Sequence, residues 1–378
     1  MEIAQLTLRH TPTSNELAPL AGISPHWILV FGSVEQLTRP GLLETLRAAF
    51  PGAILSGCST AGEISAEGVF DQHLMLTAIH FTHPAMRQAT TDLASMDDCK
   101  AAGARLAKQL AGEGLHNIVV FAQGTAINGS ALIDGFYSVL PDSVKLSGGL
   151  AGDGGQFKQT FTLSDHGVSS SQIVAVGFYH SAIRLHHGSF GGWQPFGPVR
   201  KVTRASGNIL YELDDEPALS VYKTYLGQYA KDLPASGLLF PFEMLGQDHH
   251  VTGLIRSILA IDEAQGSLTL AGDVIEHGYM RLMHSSTDAL VDGAEKAAEQ
   301  AAAGLETPTL ALLISCVGRK LVMGARVDEE VEAVAQQLGR NAALTGFYSY
   351  GEISPLFDSC DCKLHNQTMT VTHISEQG

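Results

Sequence analysis

The sequence predicts an α/β protein: repeated strand–helix–strand units forming a pseudo-symmetric mixed-sheet core in two domains. Two observations carry that expectation. Residues 57–65 read GCSTAGEIS and residues 346–354 read GFYSYGEIS, so G-x-x-S/T-x-G-E-I-S is spelled twice. The flanks of the two copies also follow one pattern: short apolar run, amphipathic stretch, second short apolar run, glycine turn, closing apolar run. Apolar runs too short for helices, alternating with amphipathic helices, mark strand–helix–strand units.

In chain order, the first unit has an apolar run at 26–31, a helical stretch at 42–50, a short run at 53–55 and a closing run at 74–79. A second, worn unit has its strand at 117–122 and its helix at 131–140. Residues 144–147 then lead into GGLAGDGG (148–155), and 172–178 close it. Here Asp153 stands where the other copies have a glutamate. The third unit runs from 310–316 through a helix with apolar Val327, Val331, Val334 and Leu338 to 342–344, and closes at 367–372. Copies so few and so widely spaced do not make a solenoid, and duplication inside one core accounts for them. Between the second and third units lie about 120 residues of different texture, including a predicted hairpin over 256–274 with its turn at 263–266. A boundary near 225 gives domains 26–225, with two repeats, and 226–374, with the third. The alanine-rich stretch 289–303 reads as a helix.

Each glycine turn follows a strand, at the sheet end where open α/β folds take their ligands. Gly57, Gly149 and Gly351 let backbone approach a ligand, while Ser59, Glu63 and Glu352 offer polar groups, the glutamates facing an amine. The competing reading is a tight turn capped by a carboxylate. No nucleotide loop fits: GGLAGDGG is not G-x-G-x-x-G, and no G-x-x-x-x-G-K-[ST] occurs.

The 378 residues allow two or three domains, and a formal charge of −16 argues against a nucleic-acid partner. No run is long and apolar enough to span a bilayer, and no basic amphipathic helix suits anionic lipid. Five cysteines do not suggest a disulfide scaffold, and cytoplasmic is the expected location.

The order of the glycine turns, GGWQPFGPVRKVT, GNILYELDDEPALSVY, LLFPF and the terminal HNQTMTVT after YGEISP together resemble the bacterial FIST family, over about residues 26–374. The resemblance implies a sensory, signal-transduction protein that binds a small ligand. The NosP-like branch implies more: haem b, nitric oxide sensing, and control of a partner histidine kinase or a cyclic-di-GMP enzyme (diguanylate cyclase or phosphodiesterase). A homodimer is compatible with either reading. The alternative is a FIST sensor of a small polar ligand such as an amino acid, without haem.

Haem needs an axial ligand, an apolar slot and cationic partners for its propionates. His187, with His186 beside it, precedes the aromatic residues Trp193 and Phe196 and the cation Arg200, and His284 is a second candidate ligand. A surface histidine pair beside a glycine-rich hairpin is the competing reading. No C-x-x-C-H occurs, so covalent attachment is excluded. Cys360, Cys362 and His365, in CDCKLH, suit zinc or a redox pair, with Cys58 as a fourth ligand if the turns are neighbours. Plain loop cysteines are the other reading. Catalysis is not expected. Cys58 or Ser59 after a strand is similar to a nucleophile elbow, but G-x-S-x-G is not matched. The acidic groups 214–216 and 328–330 read as solvated helix starts.

Overall fold

The structure is a computed structural model that describes residues 1–302, 309–339, 342–356 and 362–377. Each repeat lays down the same four strands. In the first repeat, Trp27–Gly32 and Ile54–Ser59 pair in parallel; Leu74–His80 runs antiparallel beside them, and Glu2–Leu8 forms the edge. The second uses Asn117–Ala122, Lys145–Leu150, Gln172–Phe178 and the edge strand Met86–Asp92. The third uses Thr309–Cys316, Ala342–Ser349, Met369–Glu376 and the edge strand Ile183–Phe190.

Each of these three sheets has six strands, and the last two come from a different repeat. The hairpin Glu63–Ser65/Gly68–Phe70 of the first repeat joins the third sheet beside Ala342–Ser349. The third repeat gives Gly351–Pro355 and Cys362–His365 to the second sheet. The second gives Thr162–Ser164/Gly167–Ser169 to the first. The exchange is cyclic, and each glycine turn is the point at which the chain leaves its own sheet.

Strand alternation between two covered faces explains why the central strands Trp27–Gly32, Asn117–Ala122 and Thr309–Cys316 are buried at every position. Trp27, Leu29 and Phe31 face a shared inner core with Val119, Phe121, Leu310, Leu312 and Ile314. Their neighbours Ile28 and Val30 pack outward on the helices Ser14–Gly22 and Leu42–Ala49. On the other two sheets, outward-facing Val120 and Leu313 belong to a cluster with residues of five further helices, among them Cys99–Leu110 and Thr287–Ala301. Phe31, Phe121 and Phe347 meet at the centre, with ring centroids 4.8–6.2 Å apart.

The three edge strands are absent from the sequence expectation. They are half-exposed and carry no continuous apolar run, so they do not stand out from loops. The second domain differs more. Its eight-stranded antiparallel sheet, from Gln194–Ser206 to Tyr279–His284, is inserted within the third repeat, after that repeat's edge strand. Residue 225 lies within the helix Ala218–Leu226. The expected hairpin is present as Ile258–Asp262 and Ser267–Leu270.

Of the two acidic groups, 328–330 does open a helix, Asp328–Leu338, with Asp328 exposed, but Glu330 is not solvated, and 214–216 is not a helix start. Asp214 and Asp215 have φ of 51° and 65° and turn the chain between Ile209–Leu213 and Glu216–Pro217. Glu330 is fully buried. It accepts from Arg319 Nη2 (2.7 Å), Ser315 Oγ (2.9 Å) and Tyr348 Oη (2.5 Å). Arg319 also donates to the Gly191 and Leu290 carbonyls, so every part of this buried pair is hydrogen-bonded, as a charge in a core requires.

Candidate functional site

The glycine turns lie together and interlock. Ala61 N–H donates to the Tyr348 carbonyl (2.8 Å), Gly152 N–H to the Ser59 carbonyl (2.9 Å) and Tyr350 N–H to the Leu150 carbonyl (3.1 Å). Each turn thus bonds to the next, and the ring closes. Glycine is required just before it. A Cβ on Gly57, Gly148 or Gly346 would land on the carbonyl oxygen of Val30, Val120 or Leu313 in the paired strand.

The two glutamates make matching contacts. Glu63 accepts from Thr60 Oγ1 (2.5 Å) and from His73 N–H (3.1 Å), just before the strand Leu74–His80. Glu352 accepts from Ser349 Oγ (2.6 Å) and Thr368 N–H (3.3 Å), just before Met369–Glu376. Burial pushes Glu63 up to about 7 and Glu352 up to about 8, against the hydrogen bonds that favour the carboxylate. Sheet register corrects the worn copy: Glu63 pairs Phe347, Glu352 pairs Gly149, and the matching residue opposite Cys58 is Thr162, not Asp153. Thr162 keeps the tie by donating to the Gln172 carbonyl (2.8 Å).

Asp153 instead organises a loop inserted before Thr162. Its carboxylate accepts N–H bonds from Gln156, Phe157, Lys158 and Gln159 (2.7–3.0 Å) and a bond from the Tyr350 hydroxyl. Burial acts to raise its pKa, but those donors outweigh it and the value is lowered.

Beside this loop opens a cleft of about 600 Å³, to which all three repeats contribute. Thr60, Gly62 and Glu63 form one wall, Asp153 to Gln156 a second, and Lys320 with Val317 a third; Glu35 and Asp71 stand at its margin. Lys320 donates to the Ala61 carbonyl (2.9 Å) and to Asp71. The cleft therefore offers one ammonium among several carboxylates, a setting for a small ligand that carries an amine.

Of the ligand residues expected from the sequence, Glu63 lines this cleft, itself 1% exposed and held by Thr60 and His73. Glu352 is buried and engaged as described; Gly57, Gly149 and Gly351 are packed within strands. Ser59 donates to the Gly152 carbonyl (2.7 Å) and accepts from Phe161 N–H (2.9 Å). Lys320, Asp71 and the Asp153 loop were missed. Lys320 follows the end of a central strand, the type of position that takes ligands, and that was the one signal available.

The residues considered for haem do not converge. His187 sits between sheets with Nδ1 on Thr372 Oγ1 (3.3 Å) and Nε2 on Asn117 Oδ1 (3.2 Å), and burial pushes it down to about 3. His186 is half-buried, its pKa lowered by burial and by Lys145 and Arg184. Trp193 donates to the Gln367 carbonyl (2.8 Å) and packs with Ile255, Met283, Leu290 and Met323. Arg200 is bound to Asp214 and Tyr225. Phe196 and His284 do meet, edge to face at 6.0 Å, on the inserted eight-stranded sheet. The cavity beside Phe196 and Arg200 measures about 10 Å³, where a drug-sized ligand needs roughly 300–1,000 Å³. These residues do not fit the group.

Cys362 is buried and its sulfur accepts from Leu146 N–H (3.1 Å); His365 Nε2 meets the Ser354 carbonyl (3.1 Å), and burial pushes it down to about 4. Cys58 belongs to a different core cluster from Cys362. Cys360 lies outside the described residues, among which no group of three or more His, Cys, Asp or Glu is arranged to hold a metal. Among the same residues, no helix is long and apolar enough to cross a membrane.

Comparison with known proteins agrees with the motif order. A family model described as the FIST N domain matches residues 26–216, and one described as the FIST C domain matches 218–355. No curated protein matches significantly. Among solved structures, a cyanuric acid hydrolase from A. caulinodans aligns over 100% of this chain and 99% of its own, at 10% identity and a TM-score of 0.37.

Proposed function

The chain belongs to the FIST family, and from that premise we propose that it is a signal-transduction sensor of a small amine-bearing polar ligand such as an amino acid. The ligand is received in the cleft at the first glycine turn. The observation that carries this reading is the grouping of Glu63, Asp71 and Lys320 on one cleft to which all three repeats contribute. An ammonium has three donors. Two from Lys320 go to Ala61 and Asp71, and a ligand carboxylate takes the third. The ligand's amine meets Glu63. Binding draws the three walls together, which gives the differential interaction between two states that a switch requires. A partner histidine kinase or cyclic-di-GMP enzyme then reads the change.

The haem and nitric oxide reading draws no support from the geometry, and no step is routed through that group. A sensor is favoured over a catalyst because Ser59 is engaged with backbone on both sides. Cys58 is also buried with its pKa pushed up, the opposite of an activated thiol.

The test is a thermal-shift screen with the twenty amino acids, followed by titration calorimetry on any that raise Tm. A ligand at a hundredfold excess over Kd stabilises by about 2.7 kcal/mol, which is readily seen. Glu63→Gln is expected to weaken binding about tenfold. Because Glu63 titrates near 7 and meets the amine as a carboxylate, wild-type affinity should rise from pH 6 to pH 8, and the variant's should not. If no amino acid shifts Tm, or Glu63→Gln binds with the wild-type pH profile, the reading fails.

A further inference from the structure

The Asp153 loop has a second face. Beyond Gln156, Phe157 turns away from the polar cleft into a pocket between the three-repeat core and the inserted domain. Phe157 stacks on Tyr350, with ring centroids 4.2 Å apart and planes at 14°, yet stays 40% exposed. Its backbone has φ of 53°, a conformation costly for a bulky residue and one that persists only where the surroundings enforce it. The enforcement is visible. Asp153 accepts its N–H at 2.8 Å, and the Tyr350 hydroxyl receives N–H bonds from Gly155 (3.0 Å) and Phe157 (3.4 Å). An aromatic ring is thus held in place while much of its surface remains open.

The rest of the pocket has matching chemistry. Its volume is about 260 Å³. Leu259, Ala260 and Leu270 of the inserted domain, with Met96 and Ile127 of the core, give it apolar walls. Thr125 and Thr269 add hydroxyls; the amides of Asn128 and Asn208 also line it, their Nδ2 groups donating to Asp273 (2.9 Å) and the Leu270 carbonyl (3.0 Å), and among the described residues no charged side chain lines it. Leu259 and Met96 are among the few large apolar side chains left exposed. A pocket with a fixed aromatic platform, apolar sides, neutral polar groups and no charge selects a flat, uncharged ring with hydrogen-bonding edges.

We propose that this interdomain pocket is a second ligand site, distinct from the polar cleft, which takes a planar, uncharged, bicyclic heteroaromatic ring stacked against Phe157. Its walls belong to two domains, so an occupant bridges them. Its platform belongs to the loop whose other end, Asp153 to Gln156, borders the polar cleft.

The probe is 2-aminopurine, a neutral flat bicycle whose fluorescence is quenched by stacking on an aromatic side chain. Titration of the full chain is expected to give saturable quenching. Phe157→Leu keeps an apolar group but removes the ring, and should weaken binding roughly tenfold or more, as loss of a stacking partner does. Ala260→Phe, at an exposed position on the far wall, should fill the pocket and abolish binding. Both variants should melt like the wild type. Absence of saturable quenching in the wild type, or wild-type binding by either variant, overturns the proposal. Neither outcome bears on amino-acid binding at Glu63, which the calorimetry reads separately.

Discussion

At the scale of the residue, Glu63 and Glu352 show why S/T-x-G-E is spelled twice. The hydroxyl three positions earlier and the N–H that opens the next strand both end on the carboxylate, so one side chain fastens a turn to the strand that follows. This was half legible: the motif was visible, but the second partner, ten or sixteen residues on, has no signature in spacing. The arrangement sets a pH dependence. Glu352 is raised to about 8 and Glu63 to about 7, above their ordinary value, so the folded chain binds more protons than the unfolded one between those values and about 4.5. Their contribution is fully present below the unfolded pKa and is lost as pH rises through 7 and 8. His187, His365 and His373 act in the opposite sense. Burial lowers them to about 3, 4 and 4, so their contribution is lost as pH falls below about 6.5. Stability should therefore peak near pH 6 to 7. Urea unfolding should show a loss of about 2 kcal/mol from Glu352 alone between pH 6.5 and 9. Glu352→Gln keeps an acceptor without the charge and should flatten that alkaline limb. An unchanged limb would mean that Glu352 is ionised in the fold at neutral pH.

At the scale of the element, the central strands and their helices were legible because burial on both faces leaves a continuous apolar run. The edge strands were not, since a half-exposed strand such as Met86–Asp92 reads MRQATTD and resembles a loop. The histidine pair was misjudged for a related reason. Residues 186–201 are close in sequence, but Ile183–Phe190 belongs to the third sheet and Gln194–Ser206 to the inserted domain. His187 and Arg200 therefore go to different bodies. The three strands that end in glycine turns make a sharper case. At Gly57, Gly148 and Gly346 the paired strand's carbonyl occupies the space a methyl group needs. Gly346→Ala is expected to cost well over the ~1 kcal/mol of a typical substitution, because backbone on a central strand has nowhere to move. Gly52→Ala, at a site with open space around it, serves as the control and should be near neutral. Chemical denaturation of the two variants decides the point; equal midpoints would show that the strands can separate enough to admit a side chain.

At the scale of the whole molecule, the cyclic exchange of strands makes the three repeats one folding unit, whatever boundary the sequence suggests. Residues 1–182 contain two complete repeats and look like an independent domain. In the folded chain their second sheet is completed by Gly351–Pro355 and Cys362–His365. Their hairpin at Glu63–Phe70 pairs with the absent third sheet. Their inner core also loses Leu310, Leu312, Ile314, Phe347 and Ile374. An open sheet edge next to an uncovered apolar face favours association over folding. A fragment ending at residue 182 should therefore aggregate or lack a cooperative melt. Co-expression with residues 183–378 should restore a soluble pair, because the exchanged strands can be supplied by a separate chain. A cooperative melt by the fragment alone would show that the first two repeats carry their own stability and that the exchange is an addition to them. The expected result has a functional consequence. Both pockets are assembled from parts of more than one repeat, so neither can exist before the whole core has closed.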